Sequence, residues 1–219
     1  MLQRHHANPN LHLGFNTSFR GMPVQKEYLP MVTEYLEALR ITLQKAKYEY
    51  PRVLAIRVDP IIPSDISDIM TVEDHKGLIK KFIASLNAII DHDWERRRKS
   101  DWLPNNTLRY VWCREVGTNG KPHYHFLLIL NRDVYFTIGK ACSPNENLCS
   151  RISRAWYSAL GVVWNPQEPW VHVPQNPVYW IERGDAESFQ QAFYRASYLC
   201  KANTKQYGIG LRAFGSSRY

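Results

Sequence analysis

The chain has 219 residues, 44% hydrophobic and 22% charged, a composition typical of a globular domain and too apolar for a disordered chain. Lys and Arg number 28 against 20 Asp and Glu, and the net charge of +8 favours a polyanionic partner, of which nucleic acid is the commonest. No apolar run reaches the length of a membrane span and no signal-peptide core is recognisable, so we expect a cytoplasmic protein without a membrane partner. The cysteines show no CxxC spacing, which agrees with reduced thiols.

The first half of the chain alternates helical and strand patterns. Residues 1–25 are polar with isolated apolar residues and predict an N-terminal arm, while the remainder, residues 26–219, predicts a single domain. Apolar residues at helical spacing predict a helix over Glu27–Tyr48, and period-two alternation predicts a strand over Arg52–Asp59. A second apolar stripe, over Leu78–Ile90, predicts a long helix.

That long helix ends in a run of basic residues, Arg96, Arg97 and Arg98. Cations in the last turn complement the helix dipole, which would give the cluster a structural role. Contact with nucleic-acid phosphates is the alternative, and the sequence favours neither.

The second half predicts a β-hairpin followed by helices. Leu108–Val116 reads as a strand, GTNGKP as a turn, and HYHFLLIL as a returning strand that is apolar enough to be covered on both faces. A helix over NLCSRISRAWYSAL, a short strand or two within Val162–Ile181, and a last helix over Glu187–Lys201 complete the pattern. The order of elements predicts an α+β fold, with helices flanking an antiparallel or mixed sheet.

The hairpin carries a candidate metal centre. His123 and His125 are two residues apart in a strand, so their imidazoles project from one face. Glu115 lies on the neighbouring strand, and two imidazoles with one carboxylate suit Mg²⁺ or Mn²⁺ while leaving positions for phosphate oxygens. This set has a condition on register. A two-residue Asn-Gly turn would pair Glu115 with Tyr124, on the wrong face, so Glu115 can join the histidines only if the loop is odd-numbered or bulged.

A tyrosine pair in FYRASYLCKA is the candidate nucleophile. Tyr194, Tyr198 and Lys201 stand four and three residues apart, a spacing that stacks them on one face of a helix. A metal that polarises a phosphate, together with a lysine cation, favours attack by the phenolate. Tyrosines at this spacing are also common core residues, but other residues already supply an apolar face for this helix.

These motifs resemble a known superfamily. HYH, within REVGTNGKPHYHFLLIL, resembles the His-hydrophobe-His signature of the HUH endonucleases, and YRASYLCK resembles the two-tyrosine motif of phage-type replication initiators, with Ser197 where a further lysine is usual. The layout, including the tail GLRAFGSSR, is similar to the YagK/YfjJ C-terminal domain family, also described as inovirus gene-II-type replication proteins. The similarity extends over roughly Arg52 to Arg218.

The resemblance implies a site-specific nickase that starts rolling-circle replication of a phage, prophage or plasmid. It implies a roughly five-stranded antiparallel sheet with flanking helices, a metal on His123, His125 and a third ligand at Glu115, and tyrosine attack that leaves a 5′-phosphotyrosine and a free 3′-OH. Tyr194 and Tyr198 would be the nucleophiles, and Lys201 would stabilise charge at the phosphate.

The implied partner is single-stranded or cruciform origin DNA, with helicase and polymerase drawn from the host. The basic residues that would contact it are Arg96, Arg97, Arg98, Lys205, Arg212 and Arg218. Two alternatives stay open: a DNA-binding regulator that keeps the scaffold without cleaving, and an HUH transposase or relaxase with the same chemistry on another DNA structure.

Overall fold

A large antiparallel sheet organises the chain, which a computed structural model describes at residues 3–118, 120–140 and 146–218. In chain order the described strands are β1 (Gln3–His5), β2 (Asn8–Gly14), β3 (Ser18–Phe19), β4 (Met22–Pro23), β5 (Met31–Val32), β6 (Arg52–Pro60), β7 (Arg109–Val116), β8 (Pro122–Asn131), β9 (Val171–His172), β10 (Val178–Glu182) and β11 (Phe214–Ser216). The described helices are α1 (Thr33–Glu49), α2 (Ser64–Ser67), α3 (Val72–Arg97), α4 (Leu148–Leu160) and α5 (Ala186–Ala196), with 3₁₀ helices at Lys26–Tyr28 and Ser197–Cys200.

The main sheet has the strand order β10-β6-β8-β7-β11, and β9 pairs with the end of β6 as a sixth strand. Every pairing in it is antiparallel. The predicted α+β class, a central antiparallel sheet with flanking helices, is therefore confirmed. The small β9 strand raises the strand number above the five expected, and it lies in the segment where the sequence predicts a short strand.

Helices cover the main sheet on both faces. Side chains of β6 alternate: Leu54 and Ile56 belong to one apolar cluster with residues of α3 and α4, while Val53 and Ala55 belong to another with residues of α1 and α5. Every residue of β8 from Phe126 to Asn131 is buried, as the unbroken apolar run predicts for a central strand. Burying each Phe, Leu or Ile side chain of this run stabilises the fold by roughly 1.5–3 kcal/mol.

Helix α3 contains the predicted apolar stripe and ends in the predicted basic run, but it begins at Val72, before that stripe. Thr71 and Asp74 form a capping box, in which each side chain accepts a hydrogen bond from the other residue's backbone N–H. The apolar stripe, including Leu78 and Phe82, faces the sheet, and basic residues occupy the last turn. Long as it is, α3 carries too many charges to span a membrane, and the other described helices are equally unsuited to cross one.

The N-terminal segment packs on the body of the protein. Strand β2 pairs with β1 and with β5, and its Leu11 and Leu13 are buried together with Val32. Val24, after β4, is buried in the same apolar cluster as α1 and α5. Residues 3–25 therefore form a folded flank, although the division of the chain at residue 25 into an arm and a domain stays a prediction.

The last predicted helix is shorter than its pattern suggests, since α5 ends at Ala196 and a 3₁₀ turn follows. Gln25 explains the ending. Its side-chain amide donates hydrogen bonds to the carbonyls of Tyr194 and Arg195, at 3.1 and 2.8 Å, and its backbone N–H donates to Ser197 Oγ. Carbonyls at a helix end need such partners. The tighter turn that follows rotates Tyr198 away from the position it would take in a continuous α-helix.

Candidate active site

The β7–β8 hairpin places the predicted metal ligands on one face. Glu115 lies directly opposite His123 in the antiparallel pairing, and Cys113 lies opposite His125. Directly opposed residues in an antiparallel pair project from the same face of the sheet. Glu115, His123 and His125 therefore share the face that α1 and α5 cover, whereas Tyr124 belongs to the cluster on the other face.

An odd-numbered loop produces this register. Val116 pairs with Pro122, which leaves residues 117–121 in the connection; Asn119 lies outside the described residues. Gly117 N–H donates to the Lys121 carbonyl at 3.0 Å, and Gly120 adopts the left-handed conformation with a φ of 75°. The connection between the paired residues Val116 and Pro122 therefore has five residues, an odd number, and the condition that the sequence sets on Glu115 is met.

His125 is oriented by a carboxylate that the sequence did not identify. Its Nδ1 lies 2.8 Å from Asp59 Oδ1, and its Nε2 lies 3.6 Å from Glu115 Oε2. Arg57 in turn donates to Asp59 at 3.1 Å. Burial alone would lower the pKa of His125, but the two carboxylates outweigh it and raise the pKa above its ordinary value. The signal for Asp59 was its place in β6: continuing the Val58–Phe126 pairing by one step sets Asp59 beside His125.

Two lysines from the segment after α5 converge on Glu115. Lys201 Nζ lies 2.9 Å from Glu115 Oε2 and donates to Tyr198 Oη at 2.6 Å. Lys205 Nζ lies 3.5 Å from Glu115 Oε1 and donates to the Lys201 carbonyl at 2.8 Å. Burial pushes the pKa of Glu115 upward, but the hydrogen bond from His125 and the lysine charges prevail and hold it well below its usual range. Glu115 is therefore ionised and is the common partner of both cations.

Tyr198 lies in the midst of this cluster. The Arg57 guanidinium carbon stands 4.3 Å from the centre of its ring, the His125 ring meets it edge-on at 5.5 Å, and Tyr28 meets it edge-on at 4.8 Å. Burial raises the pKa of the Tyr198 phenol, although its hydrogen bond with Lys201 acts in the opposite direction. The phenol is thus neutral in the resting chain, with a lysine cation at hydrogen-bond distance from its oxygen.

Tyr194, the second predicted nucleophile, is separate from this cluster. It lies on α5 with 37% of its surface exposed, and none of the hydrogen bonds or ring contacts around Tyr198 includes its side chain. The expected stacking of Tyr194, Tyr198 and Lys201 on one helical face is therefore not what the structure shows, because the helix gives way to a 3₁₀ turn between the tyrosines.

The imidazole of His123 is exposed, whereas His125 is largely enclosed. Across the described ranges, no three or more His, Cys, Asp and Glu side chains are grouped closely enough to stand as a formed metal site. The predicted ligands thus lie on one face of the β7–β8 pair. The His123 side chain is open to solvent, and the His125 side chain is mostly buried.

The sequence as a whole matches one family of proteins. The model of the YagK/YfjJ C-terminal domain matches residues 16–217. The chain belongs to this family. YfjJ of Escherichia coli strain K12 is 31% identical over 208 residues, which cover 90% of this chain and 100% of YfjJ, and YagK of the same strain is 31% identical over 195 residues, covering 85% and 93%. Both are described as uncharacterized proteins, and no solved structure matches the chain.

Membership of the YagK/YfjJ family does not indicate an activity, because both relatives are uncharacterized. Whether the predicted basic residues could contact DNA is therefore judged from their structural surroundings. Arg96 and Arg97 both bond to the buried Asp93, at 2.9 and 3.4 Å, and Arg98 lies 3.4 Å from Glu95. These contacts fit the structural role of a cationic helix end, and the side chains keep partial exposure.

The three predicted DNA-binding residues near the C-terminus have different settings. Arg212 and Arg218 are exposed and available to a partner. The Lys205 side chain has no exposed surface, because it is enclosed against Glu115. In this arrangement Lys205 supports the site from within and offers no surface to a phosphate.

The raised pKa of His125 predicts a pH dependence of stability in the metal-free protein. A group whose pKa is raised on folding contributes stability that is present below its unfolded value and is lost as the pH rises through the folded value. We therefore expect the difference in unfolding free energy between wild type and His125→Asn, measured by urea titration in EDTA, to shrink as the pH is raised from 6 to 9. His92→Asn, on the exposed side of α3, controls for the loss of a histidine. A difference that stays constant or grows with pH would contradict the assignment.

Proposed function

We propose that the chain is a metal-dependent endonuclease that nicks and rejoins single-stranded DNA at a specific site through a tyrosine, and so starts rolling-circle replication of a phage, prophage or plasmid. One observation carries the proposal. The Lys201 ammonium bridges Tyr198 Oη, at 2.6 Å, and Glu115 Oε2, at 2.9 Å, beside the face that carries both histidines. Phosphoryl transfer to tyrosine requires a phenol as the nucleophile, a nearby cation and a metal site, and the candidate groups for all three lie close together here.

Tyr198 is the nucleophile in this proposal. Its Oη attacks the scissile phosphorus, the bond from phosphorus to Oη forms, and the bond to the 3′ oxygen breaks. The strand is left as a 5′-phosphotyrosine and a free 3′-OH, and the phenol proton is balanced by the proton that the 3′ oxygen takes up. Lys201 stabilises the phenolate as it develops, and Glu115 keeps Lys201 charged: burial lowers the Lys201 pKa, but Tyr198 and Glu115 raise it above its ordinary value.

His123, His125 and Glu115 fit the donor set of a Mg²⁺ or Mn²⁺ site. The hydrogen bond between His125 Nδ1 and Asp59 fixes the ring and directs Nε2 toward Glu115, which is the arrangement that orients a ligating histidine. Such an ion, when bound, polarises the oxygens of the scissile phosphate. The residues of the chain supply the rest: Arg57 and Lys201 surround the Tyr198 ring and hold it in place.

A non-catalytic DNA-binding regulator is the second candidate, and one observation favours it. Glu115 is already paired with Lys201 and Lys205, and both nitrogens of His125 already face carboxylates. A polar cluster whose charges balance without a metal can serve as a structural core for a binding module alone.

Covalent capture distinguishes the two candidates. The full chain is incubated with a random-sequence pool of single-stranded DNA and Mg²⁺ or Mn²⁺, and material that survives boiling in SDS is sequenced. The nickase is expected to form an adduct that depends on the metal and enriches a defined sequence, because phosphotyrosine bonds resist SDS. His125→Ala is expected to lose the adduct.

Metal-independent binding without any SDS-resistant adduct, with either ion and across the whole pool, would overturn the nickase and support the regulator. EDTA-treated samples serve as the matched control, and the same oligonucleotide pool measures ordinary binding by filter retention.

A further inference from the structure

A cavity lies behind the hairpin, on the face opposite the histidines. Its volume is about 260 Å³, near the lower limit for small-ligand sites. A cavity of this size suits one small polar group together with part of the molecule to which that group is attached. The described residues that line it are His75, Lys76, Ile79, Trp112, Arg114, Tyr124, Gly210, Leu211 and Arg212. None of these is acidic. The alternation of β8 puts Tyr124 here while its neighbours face the candidate active site.

Arg114 forms the inner wall and is the unusual member of the set. Only 3% of its surface is exposed, yet its described hydrogen bonds go to two backbone carbonyls, of Gln206 and Arg212, at 3.3 and 3.4 Å. A buried guanidinium is normally paired with a carboxylate, since desolvating an unpaired charge is costly. Every ion pair found in the described chain leaves Arg114 out. The cavity it lines is therefore the place where its missing anion would sit.

Two further cations stand at the mouth of the cavity. Lys76 is exposed, and its ion pair among the described residues is with Glu73, at 2.9 Å, an exposed contact of the kind that contributes little to stability. Arg212 is exposed at the opposite side. Together with Arg114 they present three positive charges to one small space.

The shape of the surface indicates a polymer as the source of the anion. A neighbouring cavity of about 420 Å³ shares the lining residues Gly210, Leu211 and Arg212 with the first, so the two adjoin along this segment. Tyr35 and Tyr207 line this neighbouring cavity and supply aromatic rings there. A free phosphate ion would need only the first cavity, whereas a strand can follow both.

We propose that the cavity behind the hairpin binds one phosphate of single-stranded DNA, with Arg114 at its base and Lys76 and Arg212 at its mouth. This rests on the proposed function for the choice of polymer and adds a strand anchor distinct from the cleavage site. Such an anchor, on the reverse face of the same two strands, holds DNA without taking part in bond breaking.

The test compares two double variants of the full chain in EDTA, where no cleavage occurs. Lys76→Gln/Arg212→Gln removes the charges at the mouth and spares Arg114, whose replacement endangers folding. Lys80→Gln/Lys81→Gln removes two exposed charges from the same helix, away from the cavity. Affinity for a fluorescent twelve-nucleotide oligothymidylate is measured by anisotropy over a range of salt concentrations.

We expect the cavity variant to bind about tenfold more weakly, and its slope of log K against log salt to fall by about 0.7, since the cavity holds one phosphate and each single-strand phosphate contact accounts for about 0.7. The control variant should stay within about twofold of wild type. Equal losses in both variants would overturn the proposal. Competition by inorganic phosphate at concentrations equal to those of oligonucleotide phosphates would overturn the polymer as its source.

Failure of the anchor and failure of the proposed function give different results. A cavity variant that binds weakly yet still forms the SDS-resistant adduct at high DNA concentration supports both proposals. Normal binding by the cavity variant with an intact adduct overturns the anchor alone. Weakened binding by the cavity variant, together with a wild type that never forms an adduct, overturns the nickase alone.

Discussion

Tyr198→Phe is expected to abolish the covalent protein–DNA adduct, with a loss of roughly 10³-fold or more in its rate of formation, because the substitution removes the atom that becomes bonded to phosphorus. Tyr198 is the tyrosine whose oxygen lies 2.6 Å from the Lys201 ammonium, within the cluster that includes Glu115. The measurement is the yield of SDS-resistant adduct on the enriched oligonucleotide, followed over time with Mn²⁺ present.

Tyr194→Phe is the matched control, since it removes the same atom from the exposed face of α5. Its first-round adduct should match that of wild type within about threefold. Loss of the adduct in Tyr194→Phe and its persistence in Tyr198→Phe would reverse the assignment and require α5 to move. Thermal unfolding of both variants guards against misfolding: removing one hydroxyl costs about 1 kcal/mol at most sites, too little to unfold a domain.

Much of the hairpin was predictable from local rules. The unbroken apolar run of β8 predicted a central strand, and every residue from Phe126 to Asn131 is buried. The pairing of His123 with His125 on one face followed from strand geometry alone. The register of Glu115 did not follow, because Asn-Gly is a two-residue turn signal and the loop instead closes at Gly117 and Lys121.

What the sequence could not predict depends on contacts between distant segments. The helix pattern of α5 continues past Ala196, yet the amide of Gln25 takes the carbonyls that would extend it, from 170 residues away. Leu11 and Leu13 are isolated apolar residues in a polar segment, and they are buried against Val32 and Ala202, which are distant in sequence. Local periodicity carries no information on such partners.

Charge was the least predictable property. Lys205 lies in a Gly- and Arg-rich tail, where a basic residue is usually solvated, but its side chain is enclosed beside Glu115. Asp59 went unnoticed as a partner of His125 because its role depends on the order of strands β6 and β8 in the sheet. Sequence patterns predict where strands lie along the chain more readily than they predict which strands lie side by side in the sheet.

Glu115→Gln should destabilise the metal-free chain by about 3–5 kcal/mol, because it leaves two enclosed lysines without their anion. Glu115 is 5% exposed, and both Lys201 and Lys205 lie against it. Urea unfolding at neutral pH in EDTA measures the loss. Glu95→Gln, which breaks an exposed pair with Arg98, controls for loss of a surface ion pair and should cost less than about 1 kcal/mol.

The double variant Glu115→Gln/Lys205→Met shows whether the cost comes from the stranded charge. Met keeps the length of the lysine stem without its cation, and we expect it to restore about half or more of the lost stability. A single substitution at Glu115 that costs no more than Glu95→Gln would show that the cluster does not anchor the fold.

The same double variant separates the two roles that Glu115 has in the proposal. If it regains stability but forms no adduct, Glu115 acts on the chemistry, as a ligand or by keeping Lys201 charged, in addition to its structural pairing with the lysines. If stability and adduct return together, Glu115 is a structural counter-ion and the metal depends on His123 and His125 alone. Lys201 itself remains beside Tyr198 in the double variant, so either result reports on the loss of the Glu115 carboxylate and not on the loss of the lysine.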